Sequence, residues 1–128
     1  MTTIILSIKP QYVEKILAGT KCYEYRRRIS KQDVSTILIY STKPVGKVVA
    51  KITVEDTISA SPTALWELTK QQAGITRRLY RKYFQGCKTA YAYKLGKVFE
   101  YKIPKQLSEF GIKNSPQSFV YVNMERDW

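Results

Sequence analysis

The sequence predicts a mixed α+β fold in which many short strands can close into a barrel flanked by about three helices. Three observations lead there. Runs rich in Ile, Val, Tyr and Thr recur along the chain, giving the order β-α-β-β-β-α-α-β-β-β. Glycine and proline fall between them at positions that suit helix starts and stops. The 128 residues, 44% hydrophobic and 25% charged, have the composition of a globular domain that buries roughly two thirds of its unfolded surface. No repeat, low-complexity tract or linker divides the chain, so residues 1–128 read as a single domain.

Each element has a local reason. "IILSI" (Ile4–Ile8) is a short apolar strand. Pro10 suits the first residue of a helix and Gly19 its left-handed stop, and Tyr12, Val13, Ile16 and Leu17 form one apolar stripe between them. "KCYEYRRR" alternates, with Tyr23 and Tyr25 on one face and Cys22, Glu24 and Arg26 on the other. "TILIYS" (Thr36–Ser41) and "KVVAKITVED" (Lys47–Asp56) are strands joined through the turn "TKPVG". Ser61 as N-cap, Pro62 at the first position and Gly74 as terminator frame a second helix. "ITRRLYRKYFQG" is a third, with Ile75, Leu79 and Tyr83 on one stripe and Gly86 closing it. "TAYAYKL", "KVFEYKI" and "SFVYVNM" supply three last strands.

Charge narrows the function. Lys and Arg number 22 against 10 Asp and Glu, a net charge of +12. That favours polyanionic partners, nucleic acid first and an anionic membrane surface second, with plain solubility as the competing explanation. No run approaches the ~20 apolar residues of a membrane span, and "MTTIILSIKP" lacks a signal peptide's basic start, so a cytoplasmic location is expected. Histidine is absent, which removes Ser-His-Asp and Cys-His catalysis and most zinc sites. Cys22 and Cys87 alone make poor metal ligands, so neither a metal nor a cofactor is expected, and both thiols read as reduced. "GCKTA" lacks the spacing of a phosphate-binding loop.

The densest charge lies in "GTKCYEYRRR", where Lys21, Arg26, Arg27 and Arg28 surround Glu24, with Lys9 and Lys31 nearby. Guanidinium groups grip phosphate oxygens bidentately, and neighbouring tyrosines offer faces for unpaired bases. A solvated basic strand is the alternative. A second cluster, Arg77, Arg78, Arg81 and Lys82, sits on the third helix. Its like charges four residues apart repel, which points to an anionic partner or to a solvated outer face. Trp66 reads as core or rim packing.

"ILSIKPQYVEKILA" followed by "GTKCYEYRRR" resembles the signature of the ASCH domain family, within the PUA-like superfamily. The family mark Gly-x-Lys-x-x-Glu-x-Arg is met by Gly19, Lys21, Glu24 and Arg26. "IYSTKPVGKVVA", "YFQG" and "SPQSFVYV" extend the likeness over most of the chain. The resemblance implies a PUA-like β-barrel of mixed, mostly antiparallel strands, and a cleft beside the motif that holds RNA or a nucleotide-like ligand. Together with the charge clustering it suggests as binding residues Lys9, Lys21, Glu24, Arg26, Arg28, Tyr40, Ser41, Thr42, Tyr83, Gln117 and Ser118; Arg77, Arg78, Arg81 and Lys82 stand as a secondary basic patch on their helical spacing alone. Lys21 and Glu24, three apart on a straight strand, would face opposite ways, so sharing a pocket requires a turn or bulge near Cys22.

Enzymatic activity is the alternative. Some small relatives are amidohydrolases on acylated cytidine that use a lysine, a threonine three residues later and a glutamate further along; here Lys21 has Glu24 at that spacing, and Glu67 is the one candidate for the further acid. Nuclease activity is also associated with the family. No nucleophile accompanies Lys21 and Glu24, so they stand as catalytic candidates for proton transfer only and no catalytic residue is assigned. A third reading is a regulatory partner whose basic helix docks an acidic protein.

Overall fold

The apolar runs pair into one six-stranded sheet. The computed structural model describes residues 2–122. Its elements are β1 (Thr2–Ile8), α1 (Pro10–Leu17), β2 (Tyr23–Arg26), β3 (Val34–Ser41), β4 (Lys47–Ala60), α2 (Pro62–Thr69), α3 (Arg77–Tyr83), β5 (Ala90–Lys105) and β6 (Phe119–Val122). The strand order is β2-β5-β4-β3-β1-β6. β1 runs parallel to β3, and every other pairing is antiparallel. Residues 123 and 124, which the sequence reading added to the last strand, lie outside the described residues.

Alternation sorts side chains between the two faces of the sheet. Ile4, Leu6 and Ile8 of β1 join Ile37, Ile39, Ile52 and Tyr93 in a core closed by Val13 and Ile16 of α1. Ile5, from the opposite face of β1, packs with Leu38, Tyr40 and Val48 under Phe110. A third cluster gathers Tyr23 and Tyr25 of β2 beneath Leu65 of α2 and Tyr80 and Phe84 at α3. Each such side chain contributes about 1.5–3 kcal/mol on full burial.

The helix signals are realised as the chain chemistry suggests. Pro10 and Pro62 open α1 and α2, and the Ser61 hydroxyl accepts from the Ala64 N–H. Gly19 follows α1 at φ +82°.

Two expectations change. "TAYAYKL" and "KVFEYKI" are not separate strands but one, β5, running through Gly96. A side chain at Gly96 would collide with the Thr53 hydroxyl. That hydroxyl accepts from the Lys97 N–H at 2.8 Å, where the β4–β5 register shifts. The glycine permits close approach at a bulge; it does not make a turn.

The second change concerns the barrel. The sheet is open: β2 and β6 are its edges, and among the described residues no backbone ladder joins them. β2 is four residues long, and β6 spans four among the described residues. Side chains make links of another kind, from β2 to β1 and from the loop after β2 to β6. Arg26 Nη2 donates to the Ser7 carbonyl at 2.8 Å, and the Ser30 and Tyr121 hydroxyls pair at 2.7 Å.

Candidate functional site

Lys21 reaches its position because the chain turns before β2 begins. The Gly19 turn ends α1, and the N–H groups of Thr20 and Lys21 both return to the Lys15 carbonyl. The loop after α2 then meets this turn along three contacts. The Cys22 N–H donates to the Gln72 carbonyl at 2.9 Å, Lys21 Nζ to Ala73 at 2.9 Å and Lys15 Nζ to Gly74 at 3.2 Å. Gly74 lies flat against the Lys21 stem. Its φ is +65°, and a Cβ there would sit 2.6 Å from Lys21 Cγ. The sequence presents Gly74 as the terminator of the second helix, but that helix ends at Thr69, and the glycine in the loop beyond it makes room for the lysine.

The turn resolves the facing problem. Lys21 precedes the strand, and its ammonium comes to 4.0 Å from Glu24 Oε1. Glu24 Oε2 accepts from Arg26 Nη2 at 2.8 Å and from Nε at 3.1 Å. The three side chains form one buried ionic cluster, with Lys21 only 3% exposed. Its ammonium also lies 4.8 Å from the Tyr25 ring centre and 5.4 Å from that of Tyr12. Burial pushes the Lys21 ammonium below its ordinary 10.5; Glu24 pulls the other way, and Lys15 and Arg26 add to the lowering. The Tyr25 hydroxyl, paired with Thr69 at 2.6 Å, is pushed up to about 12, chiefly by burial.

This cluster floors a cleft of about 490 Å³. Lys9, Arg27 and Lys82 supply exposed charge around it, while Ile75, Leu79 and Tyr83 form an apolar wall. Arg27 lies over the Tyr83 ring at 4.7 Å, so one face of that tyrosine is covered. The stripe Ile75–Leu79–Tyr83, read from its spacing as one apolar face, lines the cleft with Leu79 47% exposed, while Ile75 and Tyr83 also pack against the third core cluster. Tyr80 and Phe84 make the inward contact of α3.

Of the residues the sequence suggested, Lys9, Lys21, Glu24, Arg26, Tyr83 and Lys82 border this one cleft. Arg28 is exposed and outside it. Tyr40 does not reach it: the strand's alternation turns its ring into the cluster on the other face, with Leu38 and Val48. Ser41 is buried opposite Ile8, and the Thr42 N–H bonds the Ile8 carbonyl, one strand behind the rim. Gln117 and Ser118 follow Pro116, whose carbonyl accepts from the Ser7 hydroxyl at 2.6 Å; neither lines the cleft.

Tyr12, Tyr25, Arg27 and Gly74 also belong to the arrangement, though the binding set drawn from the sequence left them out. Arg27 was named in the arginine run and Tyr25 sat among the tyrosines offered to unpaired bases, whereas Tyr12 was placed on the apolar stripe of the first helix. Among the described residues no three His, Cys, Asp or Glu side chains gather as a metal site, and no helix is long and apolar enough to cross a membrane.

A family model described as the ASCH domain matches residues 6–105. The "ASCH domain-containing ribonuclease" of Zymomonas mobilis is 33% identical over 92 residues, 71% of this chain and 62% of that protein. A Ureaplasma parvum protein named ATP synthase subunit alpha is 30% identical over 94% of this chain, which spans only 15% of that protein. The chain thus covers less than two thirds of the length of either relative. The crystal structure of ASCH from Zymomonas mobilis superposes with a TM-score of 0.87 at 28% identity, covering 96% of this chain and 89% of that one.

Proposed function

The chain belongs to the ASCH domain family, and from that premise we propose that its cleft binds single-stranded RNA. The observation that carries this reading is the convergence of Lys9, Arg27 and Lys82 on one cleft whose remaining wall is apolar and aromatic. Exposed cations neutralise backbone phosphates, and Leu79 and Tyr83 offer a surface for an unpaired base. Arg26 is held by Glu24 and the Ser7 carbonyl, so its role is to set the shape of the floor. The test is fluorescence anisotropy with a labelled single-stranded RNA across a salt series. Affinity falls with added salt, with a log–log slope of about −0.7 for each phosphate neutralised. Salt-independent binding, or none at any salt, refutes the reading.

A second reading, that the cleft also cleaves RNA, is favoured by the burial of Lys21 and by the ribonuclease among the relatives. A lysine whose pKa is lowered by burial holds more of its neutral, basic form near neutral pH. Neutral Lys21 takes the proton of a ribose 2′-hydroxyl as the 2′ oxygen bonds to phosphorus. The ammonium so formed returns that proton to the 5′ oxygen as its bond to phosphorus breaks, leaving a cyclic phosphate and a free 5′-hydroxyl. Lys21→Met then retains binding while cleavage drops by about 10²–10⁴-fold. Unchanged cleavage by that variant excludes this step.

A further inference from the structure

The helix that walls the first cleft has a second one on its other flank. This cleft, about 380 Å³, is lined by Trp66 and Glu67 of α2, by Arg77, Tyr80 and Arg81 of α3, and by Cys87 beyond it. Its chemistry repeats that of the first: cations beside a partly exposed aromatic surface. Trp66 packs on Tyr80 at 4.7 Å between ring centres and stays half-buried. Arg77 and Arg81, one helical turn apart, are exposed, and neither joins a salt bridge among the described residues. The carboxylate in the cleft, Glu67, is bonded to Lys70 at 2.8 Å. Arg78 and Lys82 are exposed between the two flanks, and Lys82 borders the first cleft.

We propose that α3 is a ridge crossed by one RNA strand, and that the Trp66–Arg77–Arg81 cleft is a second nucleotide-binding subsite for that strand. This inference rests on the RNA-binding reading of the first cleft. The helix is about 10–12 Å across with its side chains, so both subsites lie within the span of a short oligonucleotide. Four cations on a seven-residue helix repel one another in the free protein. A polyanion passing over the ridge relieves that repulsion along its whole width. Arg77 and Arg81 hold phosphates, and the free part of the Trp66 ring stacks a base.

The experiment compares oligonucleotides of roughly 4 and roughly 12 nucleotides, within the range that single-strand binding modules occupy. Anisotropy titrations at several salt concentrations use the wild type, the double variant Arg77→Ala/Arg81→Ala, and Trp66→Phe. In the double variant the longer RNA loses about tenfold or more in affinity and its salt slope shrinks by about 1.4, two phosphates' worth. The shorter RNA, seated in the first cleft, binds as before. Trp66→Phe keeps the packing on Tyr80 and the full salt slope while weakening only the longer RNA. Equal loss for both lengths, or none for either, overturns the second subsite and leaves the RNA-binding reading standing. The same holds if the double variant instead loses an acidic protein partner while its RNA titrations are unchanged. No binding of either length by the wild type defeats both.

Discussion

The cluster at the start of β2 and the helix α3 use the same residue types in opposite ways. Lys21 and Arg26 are withdrawn from water, held by Glu24 and by backbone carbonyls, and unable to move far. Arg77, Arg78, Arg81 and Lys82 are exposed and free of carboxylate partners at salt-bridge distance among the described residues. The difference teaches what positive charge does in this protein. Buried cations fix geometry and carry shifted protonation, because desolvation acts on them. Exposed cations are screened and adaptable, and contribute through long-range attraction to an anion. A count of lysines and arginines cannot separate the two.

The sharpest way to break the contrast is to remove the carboxylate that holds the buried side together. Glu24→Ala leaves Lys21 and Arg26 without their shared anion, and urea denaturation records a loss of about 3 kcal/mol. A loss no larger than that of a surface substitution would place the cluster with the solvated charges. Gly74→Ala comes next. It strains a backbone at φ +65° and drives a methyl group into the Lys21 stem, costing about 2 kcal/mol. Near-wild-type stability with intact RNA binding would show that Lys21 needs no such room.

Titration separates the regions more gently. The pKa of Lys21 is lowered on folding, so as pH rises toward the unfolded value of 10.5 the native state releases its proton first. Stability therefore increases through that window, and the wild type gains on Lys21→Met as pH climbs toward 10. Tyr25 has the opposite sign: its pKa is raised from 10.0 to about 12, so its contribution is complete below pH 10 and fades between 10 and about 12. Tyr80 and Tyr93 shift in the same direction, and Tyr25→Phe removes only its own share. Denaturation midpoints at a series of pH values read both effects. The smallest change is expected at α3, where Arg77→Ala with Arg81→Ala moves stability by no more than about 0.5 kcal/mol. A larger loss would mean that these arginines are structural after all.

The strands, the helix starts at Pro10 and Pro62, the caps and the motif around Lys21 were legible in the sequence. Each follows from interactions within a few residues: alternation, a fixed proline φ, a hydroxyl near an N–H. The merger of two runs into β5 was not, because Gly96 looks like punctuation until Thr53 is seen beside it. Nor was the inward turn of Tyr40, since period-two spacing names two faces but not which one borders the cleft. The stripe Ile75–Leu79–Tyr83 was legible as one apolar face, but for Ile75 and Leu79 its place on the cleft was not, since that depends on Tyr80 and Phe84 taking the contact with Tyr25.

The linear order of residues thus determined the elements, the excess of positive charge and the family signature. Tertiary structure alone decided that the sheet stays open, that Gly74 cradles Lys21, and that one helix divides two clefts. The reason is range. Backbone preferences act between neighbours along the chain, whereas burial, and with it the protonation of Lys21, depends on groups more than fifty residues away such as the Ala73 carbonyl.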